Sequence, residues 1–222
     1  MAPFGTVWTY PNNPRVNRAL ILADINGLEI DLPPFTMRET NRTPEFLAKF
    51  ALGKVPAFEG ADGFRLTESI AIATYIAQAG PKAAQLLGED AKTQALITQW
   101  TSYSEGELFT NSFMPLAMVV FKYYPLNEQA FDFHVDALLR NAKYLETVLQ
   151  GGKKHLVGNK LTMADVMVTS FLYYAFKYFL DPETRKELPN LTAYMQAFAS
   201  VPEHKKYYGE LELCETRLSK NN

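Results

Sequence analysis

Residues 53–69 read Gly53-Lys54-Val55-Pro56-Ala57-Phe58-Glu59-Gly60-Ala61-Asp62-Gly63-Phe64-Arg65-Leu66-Thr67-Glu68-Ser69, two short apolar runs around a polar, glycine-bearing loop. The runs 55–58 and 64–66 predict a β-hairpin joined by the five-residue loop 59–63. Thr67 then precedes residues 68–79, apolar at Ile70, Ala73, Ile76 and Ala77, which is helical spacing, and Gly80-Pro81 ends that helix. A proline that opens a strand cannot donate to the ladder. Pro56 is therefore either an edge residue in trans or the second half of a cis peptide that turns the Val55 backbone outward toward a ligand. Thr67-Glu68-Ser69 has two readings as well. It is an ordinary helix start capped by Thr67, or a place where helix N–H groups, a serine hydroxyl and a carboxylate hold an amino-acid-like head.

Working toward the N-terminus, Thr6-Val7-Trp8-Thr9-Tyr10 is β-branched and aromatic and predicts a first strand. Asn13 and Pro14 predict an N-cap and a first helical residue. The helix over residues 15–26 should bury Val16, Leu20 and Ala23 and stop at Gly27. Leu28-Glu29-Ile30-Asp31-Leu32 alternates like a half-buried strand, and Thr43-Pro44 repeats the cap-plus-proline start for a helix running to about Gly53. The order is β-α-β-α-β-β-α, whose first three elements form a parallel βαβ unit.

From about residue 91 the pattern is almost purely helical, with helices predicted over 92–121, 127–150, 162–179 and 190–200 and a shorter one after Pro202. Pro115 should kink the first of them. Residues 80–90 are the expected linker, giving domains 1–80 and 91–222, and residues 219–222 should fray. Thr162 and Asp165 stand three apart and predict a capping box, with Leu161 stapled onto Val166. That reading is structural rather than catalytic.

The chain has 222 residues, 47% of them hydrophobic, enough for a sizeable core without staples. With 22 basic and 24 acidic side chains the net charge is −2, which argues against nucleic-acid binding. One cysteine, Cys214, excludes a disulfide framework, a zinc cluster and a C-x-x-C redox motif, and the three histidines show no metal-ligand spacing. The N-terminus has no secretory pattern, and the longest uncharged stretch, 108–121, is shorter than a membrane span. A cytoplasmic protein without membrane contact is expected. Aromatics at 13% suit core packing or a pocket for an apolar ligand.

Val55-Pro56, Glu68-Ser69 and the segment Gly158-Asn159-Lys160-Leu161-Thr162-Met163-Ala164-Asp165, in this order, resemble the glutathione transferase family over nearly the whole chain. Residues 43–60 and Gly209-Glu210-Leu211-Glu212-Leu213-Cys214-Glu215 are similar to the transferase-like domain of translation elongation factor 1-gamma. The resemblance implies an α/β, thioredoxin-like N-terminal domain that binds glutathione and an all-helical C-terminal domain that holds the acceptor. It puts the γ-glutamyl group on Glu68 and Ser69. The cysteinyl unit would pair with the Val55 backbone beside a cis Pro56, and Asn41 and Lys54 would contact the glycine end. Tyr103, Glu107 and Phe113 would line the acceptor pocket, or else be core and solvent residues. A homodimer packed along the helix 92–121 is implied too.

The turn after the first strand reads Thr9-Tyr10-Pro11-Asn12-Asn13-Pro14 and lacks the cysteine of reductase-type relatives. Glutathione's thiol has a pKa of about 8.5, and lowering it by one unit takes about 1.4 kcal/mol, one good hydrogen bond to a charged group. Asn12 or Tyr10 can supply it, with Asn12 preferred because some fungal relatives use asparagine here. Thr9 and Asn13 stay open, as does plain turn chemistry for both asparagines. The expected enzyme adds glutathione to a small apolar electrophile in detoxification or secondary metabolism, by conjugation or by glutathione-assisted cis–trans isomerisation. The other class is a non-catalytic interaction domain of the elongation factor type. Because that factor continues past its transferase-like part while this sequence ends at Asn222, the enzyme is expected.

Overall fold

The computed structural model describes residues 3–221; Met1, Ala2 and Asn222, the last residue of the expected frayed tail, lie outside them. The chain divides between Glu89 and Asp90 into two compact units.

In the first unit the elements run β1 (Gly5–Trp8), α1 (Pro14–Asn26), β2 (Ile30–Asp31), α2 (Pro44–Lys49), β3 (Ala57–Gly60), β4 (Arg65–Thr67), α3 (Ser69–Ala79) and α4 (Ala83–Leu87), with a 3-10 turn over Thr40–Arg42. The sheet order is β2-β1-β3-β4, with β1 parallel to β2 and antiparallel to β3, and β3 antiparallel to β4. The local signals act as expected at two helix starts. Asn13 Oδ1 accepts from the Arg15 N–H at 3.1 Å and Thr43 Oγ1 from the Phe46 N–H at 3.2 Å. Gly27 ends α1 with φ 67°, a left-handed conformation that a residue without Cβ adopts at least cost. The strands are shorter than predicted. β2 keeps only two ladder residues at the sheet edge, and β1 stops at Trp8.

Two layers of side chains hold this sheet. On one side Phe46, Phe50 and Ala57 form a buried cluster with Trp8, Phe35 and Val55 packed against it. Elsewhere Val7, Leu22, Phe58, Ile72 and Ile76 are almost fully buried, each contributing about 2 kcal/mol of apolar transfer. α1 and α3 are clamped at their far ends by Asn26, whose Nδ2 donates to the carbonyls of Ile76 and Ala77, both at 3.0 Å, and whose Oδ1 accepts from the Lys82 N–H at 2.9 Å. A Cβ on Gly80 would lie 2.5 Å from the Asn26 side chain, so the glycine after α3 is required by this close approach. The segment expected as a linker is not all linker, since α4 lies within it.

The second unit contains α5 (Ala91–Tyr103), a π-helical stretch over Ser104–Phe109, α6 (Thr110–Val119), α7 (Glu128–Val148), α8 (Met163–Tyr178), α9 (Pro182–Lys186), α10 (Pro189–Ala199) and α11 (Pro202–Tyr208). The predicted helix 92–121 is thus interrupted by the π stretch, ahead of Pro115, which lies buried inside α6. α8 is buried around most of its circumference and forms the centre of the unit. Its first turn is organised by Asp165, fully buried, as the capping box predicted. Asp165 Oδ2 accepts from the Thr162 N–H at 2.9 Å, and Oδ1 accepts from the Leu156 N–H at 2.8 Å and the Tyr194 hydroxyl at 2.9 Å. Burial raises the Asp165 carboxyl against the lowering effect of these donors. Within the predicted tail Lys220 is tied down, donating to Asp132 at 2.8 Å. Among the described residues no helix is long and apolar enough to cross a membrane.

Candidate functional site

The register of the sheet brings the predicted glutathione residues to one end of the first unit. Trp8 pairs with Ala57, and Ala57 pairs with Thr67. Because β1 and β4 both leave this row while β3 enters it, three connections gather at the same sheet end. They are the Thr9–Pro14 turn, the Lys54-Val55-Pro56 approach to β3, and the Glu68-Ser69 start of α3. This convergence follows from strand direction, not from proximity in sequence.

The Val55–Pro56 peptide is cis. Val55 is half-buried and outside the β3 ladder, and its backbone N–H and C=O have no main-chain partner among the described residues. Lys54 is exposed beside it.

α3 begins differently from α1 and α2. Thr67 does not cap it; Thr67 ends β4, and the cap position belongs to Glu68, with φ 67° and ψ 117° and no side-chain cap bond. A non-glycine residue held there costs of order 1–3 kcal/mol, a conformation that recurs at ligand sites. The first-turn N–H groups of α3 are left for an external acceptor. Glu68 is exposed and Ser69 half-buried. Ser69 Oγ accepts from Nη2 of Arg18, a fully buried residue of α1, at 2.8 Å.

In the Thr9–Pro14 turn, Asn13 is buried and uses both ends of its amide, Oδ1 as the α1 cap and Nδ2 as donor to Thr9 Oγ1 at 3.1 Å. Thr9 in turn donates to the Tyr10 carbonyl at 3.1 Å. Asn12 sits at φ 58° with an exposed side chain, and Tyr10 is partly exposed. Of the four candidates of the turn, Thr9 and Asn13 are bonded to each other, whereas Asn12 and Tyr10 are solvent-accessible.

Two expectations change. Asn41 is buried, donating from Nδ2 to the Gly53 carbonyl at 2.6 Å and accepting from the Arg38 N–H at 2.7 Å. These bonds brace the turn that leads to Lys54. Tyr103, Glu107 and Phe113 do not form one wall. The Tyr103 hydroxyl donates to the Asn141 carbonyl at 3.3 Å, packed with Trp100 and Tyr144, and burial drives its pKa above the ordinary phenol range. Glu107 Oε2 accepts from Asn141 Nδ2 at 3.4 Å. Both therefore turn toward α7. Phe113 instead stacks on Phe109, with centroids 5.0 Å apart, and continues into Phe121 and Tyr123. The π stretch adds a residue to the helical turn between them and rotates everything that follows.

Cys214 is half-buried, and burial pushes its thiol up, away from nucleophile character. Among the described residues no cluster of His, Cys, Asp and Glu could hold a metal ion. Sequence reasoning missed Arg18, which lies on the side of α1 away from Val16, Leu20 and Ala23 and is nonetheless fully buried.

A four-stranded mixed sheet with helices and a cis proline just ahead of its third strand, followed by an all-helical unit, is the architecture of the glutathione transferases. Models of the glutathione S-transferase N-terminal and C-terminal domains match residues 3–78 and 112–210. The chain belongs to the glutathione S-transferase family. It is 40% identical over 221 residues to a glutathione S-transferase-like protein of a Fusarium species, with 98% of each chain covered. It is also 36% identical over 217 residues to elongation factor 1-gamma-A of Xenopus laevis, covering 95% of this chain and 48% of that one. The GST-like domain of elongation factor 1-gamma from Saccharomyces cerevisiae superimposes with a TM-score of 0.81 at 24% identity, covering 98% of this chain and 99% of that domain.

Proposed function

We propose that this protein is a glutathione transferase acting on a small apolar electrophile. The observation that carries the reading is the strand register, Trp8 to Ala57 to Thr67, which gathers an unpaired Val55 backbone, an uncapped helix start and an outward Asn12 at one sheet end. In this reading Glu68 holds the γ-glutamyl ammonium group, and Ser69 with the α3 N–H groups holds its carboxylate. Val55 pairs with the cysteinyl backbone, and Lys54 meets the glycine carboxylate. Asn12, or Tyr10 in its place, donates to the thiolate. The thiolate attacks electrophilic carbon. Either the thioether is the product, or the adduct of a conjugated double bond rotates about its new single bond and eliminates glutathione with changed geometry. Phe113 and its aromatic neighbours are the acceptor contacts of this reading, and the protein acts as a cytoplasmic homodimer in detoxification or secondary metabolism.

A second reading, a non-catalytic interaction domain, is favoured by the likeness to elongation factor 1-gamma. Calorimetry with glutathione, ultraviolet titration of its bound thiol and turnover of an activated aryl chloride separate the two. Binding with the thiol pKa lowered from about 8.5, together with turnover, supports the enzyme. Binding with an unshifted thiol and no turnover supports the interaction domain.

A further inference from the structure

Arg18 lies on the buried face of α1 with no exposure to solvent, yet its Nη2 reaches 2.8 Å from the Oγ of Ser69 on α3. A guanidinium has donors only, so Ser69 Oγ must be the acceptor in this bond. The hydroxyl still carries one proton. Serine and threonine inside helices commonly give that proton back to the carbonyl four residues earlier, as Thr74 does to Ile70 at 2.8 Å. Ser69 has no such choice, because it is the first residue of α3 and the residue four before it, Arg65, opens strand β4. No acceptor among the described residues takes the Ser69 proton. A charged donor on its oxygen also makes the hydroxyl a stronger donor in a buried setting.

We propose that Arg18 is a positioning residue: from inside the first unit it fixes Ser69 as a proton donor toward the ligand, so that the site selects a carboxylate over a neutral carboxamide at the γ-glutamyl head. This rests on the glutathione reading of the site and deepens it. Arg18 does not touch the ligand. It acts through Ser69, and Asn26 at the other end of the α1–α3 contact keeps the two helices in register.

The test is calorimetry with S-hexylglutathione, which does not react, and with its analogue carrying the γ-glutamyl α-carboxylate as an amide. The unmodified protein should prefer the carboxylate by about tenfold or more, the ratio expected for a hydrogen bond to a charged group. Arg18→Met should lose most of that preference by weakening the carboxylate ligand alone, and Arg18→Lys should restore part of it. Ser69→Ala in the Arg18→Met background should add almost nothing, since the two residues act as one unit. If Arg18→Met weakens both ligands alike, or if its loss and that of Ser69→Ala simply add, Arg18 is only a core residue and the proposal falls. Should the Arg18 variants not fold, Ser69→Ala alone decides: equal loss of both ligands overturns the donor role. An unmodified protein that binds both ligands equally overturns the proposal while leaving the glutathione site standing. One that binds neither overturns the site and the proposal together.

Discussion

Asn13 Nδ2 donates to Thr9 Oγ1 at 3.1 Å, across the turn that joins β1 to α1. With Asn13 Oδ1 capping the helix and the Thr9 hydroxyl donating to the Tyr10 carbonyl, both side chains are occupied in building the turn. Thiol activation in the proposed mechanism therefore falls to Asn12 or Tyr10. Asn13→Ala should cost about 1 kcal/mol in denaturant unfolding, the loss of one cap, and leave the titration of bound glutathione where it was.

Asn12 is the residue to test for the thiolate. Its φ of 58° means that alanine there strains the backbone, so Asn12→Gly is the cleaner variant. We expect the bound thiol's pKa to rise by roughly one unit, the equivalent of about 1.4 kcal/mol, with turnover falling severalfold at neutral pH and recovering at alkaline pH. Tyr10→Phe should change little. The reverse pattern, with pH-rescuable loss in Tyr10→Phe alone, transfers the role to the tyrosine.

Glu68 combines an exposed carboxylate with a left-handed φ of 67°. Glu68→Gly removes both the carboxylate and the strain. Glutathione affinity should fall at least tenfold by calorimetry, while stability rises by about 1 kcal/mol. A variant that binds as before would show that Glu68 serves only the chain reversal into α3.

His204 is fully buried against Phe198, its ring nitrogens have no hydrogen-bond partner among the described residues, and burial pushes its pKa down to about 4. The unfolded chain takes up a proton near pH 6.5 and the folded chain only near 4, so stability is complete above about pH 6.5 and is lost as pH falls through that window. The loss should approach about 3 kcal/mol. Unfolding curves of His204→Leu measured from pH 4 to 7 should lack this slope.

The exposed side of α5 carries Leu96, 46% accessible, while only Ile97, Trp100 and Thr101 of that helix are buried. If the dimer forms along this helix, light scattering should give the mass of two chains for the natural protein and of one for Leu96→Glu. A natural chain that is monomeric at every concentration removes the dimer from the proposal.

The sequence alone determined what short-range chemistry controls. Asn13-Pro14 and Thr43-Pro44 opened helices and Gly27 closed one, because a cap, a pre-set φ and a missing Cβ act within a few residues. Thr162 and Asp165 predicted the start of α8 for the same reason. α9, which was not predicted, opens on an equally local cap, with Asp181 Oδ1 accepting from the Thr184 N–H at 2.9 Å, but its five residues are too few to show periodicity. Tertiary structure decided the rest. Glu68 takes its positive φ where β4, still paired with β3 at Thr67, hands the chain to α3, and α3 is held in place by α1, about 50 residues away in the chain. The burial of Asn41 was not legible either, because it depends on Gly53, twelve residues on, passing beside it. Tyr103, Glu107 and Phe113 were expected on one continuous helix, and the π stretch between α5 and α6 breaks its regular period. Whether Arg18 meets Ser69 could not be read from either helix, because that bond exists only once α1 and α3 pack, 51 residues apart in the chain.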